Sequence, residues 1–246
     1  MTEKWNVPQF FDALEGRPLD IIPLTLKNGG SFTRMAASMR NRTLALKLKD
    51  EEAIRKWVEL PYWTNNPIFY HRNGNVKFGD ASDETVTKYL MSINSGLEGQ
   101  LFEGRMVLPR TFDLNMIAGT DFTRKDIVKY GYHLQTEKDA KKNIILLALA
   151  DNDKPTLEAY TSQVYKYARD KLGKTKLMDL QFSLYNEVLT YYDQSSMGVV
   201  WFGGLGGVFG RSAVFCDRGL DYNYGRVVRV QATEAQTRAP QETKRS

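Results

Sequence analysis

Rings and cations interleave between Lys56 and Phe78. In KWVELPYWTNNPIFYHRNGNVKF, Trp57, Tyr62, Trp63, Phe69 and Tyr70 sit among Lys56, His71, Arg72 and Lys77. That mixture suits single-stranded nucleic acid, because rings stack on bases at roughly 1–3 kcal/mol each while cations follow the backbone. Trp57 and Phe69 fit a core role equally well. Tyr70, His71 and Arg72, beside a hairpin tip, are the residues expected at the surface. A second mixed stretch runs from Tyr160 to Lys176, where Lys166 and Arg169 stand about one helical turn apart and share a face. A third, DRGLDYNYGRVVRV, sets Arg218, Arg226 and Arg229 around Tyr222 and Tyr224.

The charge pattern points the same way. The 246-residue chain carries a net charge of +5, but the excess is local. Lys27, Arg34, Arg40, Arg42, Lys47 and Lys49 form a run with no acid between them, and Lys166, Arg169, Lys171, Lys174 and Lys176 have only Asp170 for company. Cations placed near phosphates release condensed counterions and add salt-dependent affinity. A solvated face is the competing reading of each run.

Catalytic constellations are hard to assemble. The lone Cys216 excludes internal disulfides, and with only His71 and His133 the soft metal ligands are few. Neither histidine stands in a recognisable nucleophile signature, and His133 is expected as a partly buried structural residue in a helix. The cluster Gly203, Gly204, Gly206, Gly207 and Gly210 has the wrong spacing for a phosphate loop and for a dinucleotide fingerprint, so close β packing explains it better. Asp151, Asp153, Asp80, Asp83 and Glu84 sit at helix starts, where capping accounts for them. No enzyme activity, metal or cofactor is expected.

The elements that would position these residues follow from local pattern. Leu19–Leu26 reads as extended, and the alternation of Leu44, Leu46 and Leu48 as a half-buried strand. Asp50 caps a helix over 51–60, ended by Pro61. Asn73-Gly74 predicts a tight hairpin between 68–71 and 76–78. A helix follows over 82–94. Thr123 and Thr136, each three residues before an Asp, open helices, the second running unbroken over 137–150. Asp153 and Pro155 start another that Gly173 stops, and a fourth is expected over 175–192. Short β runs cover 199–202, 213–216 and 227–230, and from 232 the chain reads as a disordered tail.

The run KDAKKNIILLALADNDKP (Lys138–Pro155), with FTRKDIVKYG (Phe122–Gly131) before it, resembles a segment of the nucleoproteins of phlebovirus-type segmented negative-strand RNA viruses. The resemblance implies a mostly helical protein that holds genomic RNA in a basic cleft and oligomerises through an exchanged arm. Lys138, Lys141 and Lys142 become candidates with it.

Together these features predict an α+β fold: an N-terminal part over 1–119 with the basic run and hairpin, a helical core with a glycine-rich β-like end over 120–231, and a tail over 232–246. The composition, 42% hydrophobic and 26% charged, is that of an ordinary globular chain. No apolar run reaches the roughly 18 residues of a membrane helix, and MTEKWNVPQF has no signal core, so a soluble protein of a reducing compartment, virion or host cytoplasm, is expected. The expected function is a nucleocapsid or coat protein polymerising on single-stranded RNA through Lys27, Arg34, Arg40, Arg42, Lys47, Lys49, Trp63, Tyr70, His71, Arg72, Lys77, Lys166, Arg169, Arg226 and Arg229. The rival is a protein-binding structural component, such as a matrix or phage head or tail part, that assembles with itself or other proteins without nucleic acid. An enzyme acting on nucleic acid comes third.

Overall fold

A computed structural model describes residues 13–28, 31–71, 73–80, 83–92, 101–102, 105–109, 111–131, 133–177, 179–181, 195–205, 213–216 and 225–230. Predicted features at Arg72 and beyond residue 230 lie outside this set.

Strand β1 (Ala13–Gly16) leads into α1 (Pro18–Lys27), and β2 (Ser31–Phe32) into α2 (Met35–Leu48). Both helices correct the extended segments expected there. Pro18 sits at the start of α1, where its fixed φ suits a helix and its missing N–H costs nothing. Burial of Leu19, Ile21 and Ile22 then outweighs the strand preference of the isoleucines. In α2 the buried residues include Met35, Met39, Arg42 and Leu46, a helical spacing. The period-2 signal from 44 to 48 was too short to separate the two. The Asn66 side chain accepts the Met35 N–H at 2.6 Å, capping α2 from a distant strand.

Asp50 caps α3 (Glu51–Ala53) through the Ala53 N–H, and the chain continues as a π-helical stretch, Ile54–Glu59. Then comes β3 (Tyr62–Tyr70), nine residues with every one buried. The predicted hairpin joins it to β4 (Val76–Gly79), with Ile68 opposite Phe78 and Tyr70 opposite Val76. Gly74 takes φ 84°, which the turn requires of it. After α4 (Glu84–Ser92), capped by Asp83, come β5 (Leu101–Phe102), β6 (Arg105–Val107), a 3₁₀ turn at Leu114–Met116 and β7 (Gly119–Phe122).

Full capping boxes at Thr123 and Thr136 open α5 (Arg124–Tyr130) and, after β8 (Gln135–Thr136), α6 (Glu137–Ala140). The long helix expected here is broken. Asn143 accepts the N–H groups of Ile145 and Leu146 and starts a separate α7 (Ile144–Leu149). Asp153 caps α8 (Lys154–Leu172), which ends at Gly173. In place of the start of a fourth helix, β9 (Lys176–Leu177) and β10 (Asp179–Gln181) are strands that bury Leu177 and Leu180; residues 182–194 lie outside the described set. The three late β runs are β11 (Ser196–Phe202), β12 (Ala213–Phe215) and β13 (Gly225–Val230).

Apart from β8 and β9, which pair with each other, the described strands join in a mixed sheet ordered β1-β13-β3-β11-β12-β10, with β4 and β7 extending from β3, β6 and β5 from β11, and β2 on β13. Where β3 meets β11, Val199 faces Pro67 and Trp201 faces Trp63, so Thr64, Asn65 and Asn66 bulge opposite Val200. The bulge accommodates a proline in a central strand.

Alternation along β3 divides the core in two. Tyr62, Ile68 and Tyr70 face a cluster with Met39, Trp57, Tyr160, Val164 and Phe202, covered by α2, the π-helical stretch and α8. Trp63 and Phe69 face a second with Ile22, Leu90, Met106, Met197 and Val227, covered by α1, α4 and the 106–117 segment. The fold is α+β, as expected. Gly204 lets the chain after β11 press on the π-helical stretch: a Cβ there would lie 1.9 Å from the Glu59 carbonyl oxygen. That is the close packing expected of this glycine.

Candidate binding surface

The aromatic–basic segment is interior. Trp57, Tyr62, Trp63, Phe69 and Tyr70 are all at most 5% exposed. Trp57 and Tyr62 meet edge to face, and the Tyr70 hydroxyl donates to the Cys216 carbonyl. Rings already packed against protein cannot stack on bases, which removes the main support for an RNA platform. Lys77 is buried as well. Its ammonium donates to the carbonyls of Leu114 (2.8 Å) and Ile117 (3.1 Å) and lies 3.3 Å from the Asp121 carboxylate. His71 is half-buried, its Nε2 3.5 Å from Asp121. Burial pushes its pKa below the ordinary value, with the Asp121 carboxylate pulling the other way. His133 is exposed and outside any helix, contrary to expectation.

The acid-free run 27–49 separates into three groups. Arg42 is fully buried. Its guanidinium stands 3.5 Å from the Phe202 ring centroid, Nε donates to the Tyr62 hydroxyl (3.2 Å) and Nη2 to the Gly203 carbonyl (3.0 Å). Arg34 bridges distant acids, with Asp151 at 2.9 Å and Asp80 at 3.8 Å. Lys27, Arg40, Lys47 and Lys49 are exposed. Of the later candidates, Lys166 is exposed, Arg169 pairs with Glu137 at 3.0 Å, and Arg226 is buried with Nη1 donating to the Lys56 carbonyl at 3.1 Å. Arg229 pairs through its backbone with Phe32.

The Arg34 bridge shows how two basic runs come together. It ties the residue before α2 to the loop before α8, and about two turns into each helix Arg42 and Tyr160 pack on Phe202. The helices therefore run side by side in the same direction. At about 1.5 Å per residue, Lys47 and Lys166 lie at matching heights, and both are exposed. Sequence reading missed this bridge. Asp153 alone suffices to cap α8, and the surplus Asp151 was the available signal. Burial pushes the Asp151 carboxyl above the ordinary carboxylate value, opposed by Arg34 and Arg40. Asp151 and Asn152 both adopt left-handed backbone, φ 57° and 59°, to turn the chain into place.

Among the described residues no group of three or more His, Cys, Asp or Glu is placed to hold a metal ion, and no helix is long and apolar enough to cross a membrane. No family model and no curated protein matches the chain. A solved structure does, one described as showing the accommodation of massive sequence variation in Nanoarchaeota by the C-type lectin fold. The two share 11% identity with a TM-score of 0.58, over 92% of this chain and 100% of that one. The fold resembles the C-type lectin fold. This likeness overturns the phlebovirus resemblance and the nucleocapsid function drawn with it. Lys138–Pro155 supplies two short helices and the start of α8 around a central sheet, in place of a helical RNA cleft. The RNA partner, the virion setting and the viral nucleoprotein assignment fall together.

Proposed function

We propose that the chain is a protein-binding structural module, which assembles by contact between folded surfaces and needs no nucleic acid. The observation that carries this reading is the likeness to the C-type lectin fold over 92% of the chain. The burial of every described ring in the aromatic–basic segment agrees with it. In the Nanoarchaeota structure that fold accommodates massive sequence variation. A scaffold of this kind keeps its core while its outer residues are free to serve contacts. Here one exposed apolar corner supports assembly. Val128, Leu134 and Ile144 are 59%, 42% and 37% exposed, and their segments are drawn together by Asn143, whose amide donates to the Tyr130 carbonyl and to Gln135.

Light scattering on nuclease-treated full-length protein tests this. The expected mass exceeds the 28.1 kDa monomer and is held as salt rises, because added salt does not weaken apolar contact. The double variant Val128→Glu/Leu134→Glu should return to monomer. A monomer under all conditions, or growth only when RNA is added, would overturn the proposal.

A further inference from the structure

We propose that the solvent face of the α2/α8 pair is a docking surface for an acidic protein partner. The inference rests on the protein-binding reading above and adds the place and the chemistry. Two acid-poor runs, far apart in sequence, reach one layer because α2 and α8 pack on one core, with the Arg34–Asp151 bridge joining their starts. Lys47 comes from α2, Lys49 from its end and Lys166 from α8. All three are exposed, and among the described residues none of their side chains makes an ion pair; Arg40, exposed on the same helix as Lys47, also acts on the Asp151 carboxylate. The cations that do have partners are accounted for: Arg169 by Glu137, Lys154 by Glu158 and Lys56 by Glu52. What remains is a positive field on a rigid helical layer, which steers and orients a partner of opposite sign.

Carboxylates on a folded partner fit this face better than a nucleic acid does. Asp170 and Glu158 interrupt it, which leaves discrete positive points for separate acidic side chains and no unbroken track for a phosphate backbone. Among the described residues of α8, Tyr160 and Tyr165 are buried and offer no ring to a base. Tyr167, on the same helix, donates its hydroxyl to Glu59 at 2.9 Å.

The test uses the full chain and a fluorescent oligo-glutamate peptide as probe, titrated at low and high salt, with poly-U as competitor. Wild type should bind the peptide, losing affinity with salt. The triple variant Lys47→Glu/Lys49→Glu/Lys166→Glu should bind about tenfold or more weakly with an unchanged melting temperature. A control triple of equal charge change, Lys125→Glu/Lys138→Glu/Lys142→Glu on exposed residues of α5, α6 and the turn after α6, should keep wild-type affinity. Absence of binding, an equal loss in the control, or poly-U displacing the peptide at lower concentration would each overturn the proposal. Should the face fail while the light-scattering mass of wild type stays above monomer, the docking surface is lost and the protein-binding reading survives.

Discussion

Arg40 and Arg42 lie two residues apart on α2, yet one is exposed and the other has no exposed surface at all. The same division runs through the whole molecule. Arg42, Lys77 and Arg226 are interior cations that donate to backbone carbonyls and, for two of them, to a ring or a carboxylate. Arg40, Lys47, Lys49 and Lys166 are exterior cations without ion pairs among the described residues. Buried charge is tolerated only when satisfied, so the first group is committed to architecture. Only the second is available to a partner. A count of positive charge in sequence merges two populations with opposite physical roles.

The contrast is sharpest at Arg42. Arg42→Ala should cost about 3–5 kcal/mol in urea unfolding, through a cavity beside Phe202 and unpaired groups on Tyr62 and Gly203. Arg40→Ala should stay within about 0.5 kcal/mol. Equal effects at the two sites would break the division. Next in size is Lys77→Ala, expected to cost about 2–3 kcal/mol because the carbonyls of Leu114 and Ile117 lose their donor. The helix cap supplied by Asn66 comes third: Asn66→Ala should remove about 1 kcal/mol, read as a lower denaturation midpoint.

The smallest effect concerns His71. Its pKa is held below 6.5 in the folded protein, so the unfolded chain binds that proton more readily. Stability contributed by the neutral ring is complete above pH 6.5 and is lost as pH falls through the folded value. His71→Gln should flatten that part of the stability–pH curve. An unchanged slope would show the imidazole to be as free as an exposed one.

Features decided within a few residues were legible in the sequence. Asn73-Gly74 marked the hairpin, Thr123 and Thr136 marked capping boxes with their third residues, and Asp50 and Asp153 marked helix starts. Each rests on a hydrogen bond or a dihedral that local residues determine. The misreadings have tertiary causes. Pro18 and Pro23 obscured α1, which burial of Leu19, Ile21 and Ile22 secures. The cap on α2 comes from Asn66, and the partner of Arg34 is 117 residues away. Nothing next to Arg42 or Trp63 in the chain distinguishes an inward from an outward side chain. The proposed surface was therefore visible as residues and invisible as a face.

The most direct test of the division between interior and surface is tryptophan fluorescence in the variant Trp5→Phe/Trp201→Phe, which keeps Trp57 and Trp63 alone. Blue-shifted emission, poorly quenched by acrylamide and unaltered by poly-U, is the predicted result. Solvent-like emission that poly-U quenches would contradict it and make these rings a stacking platform.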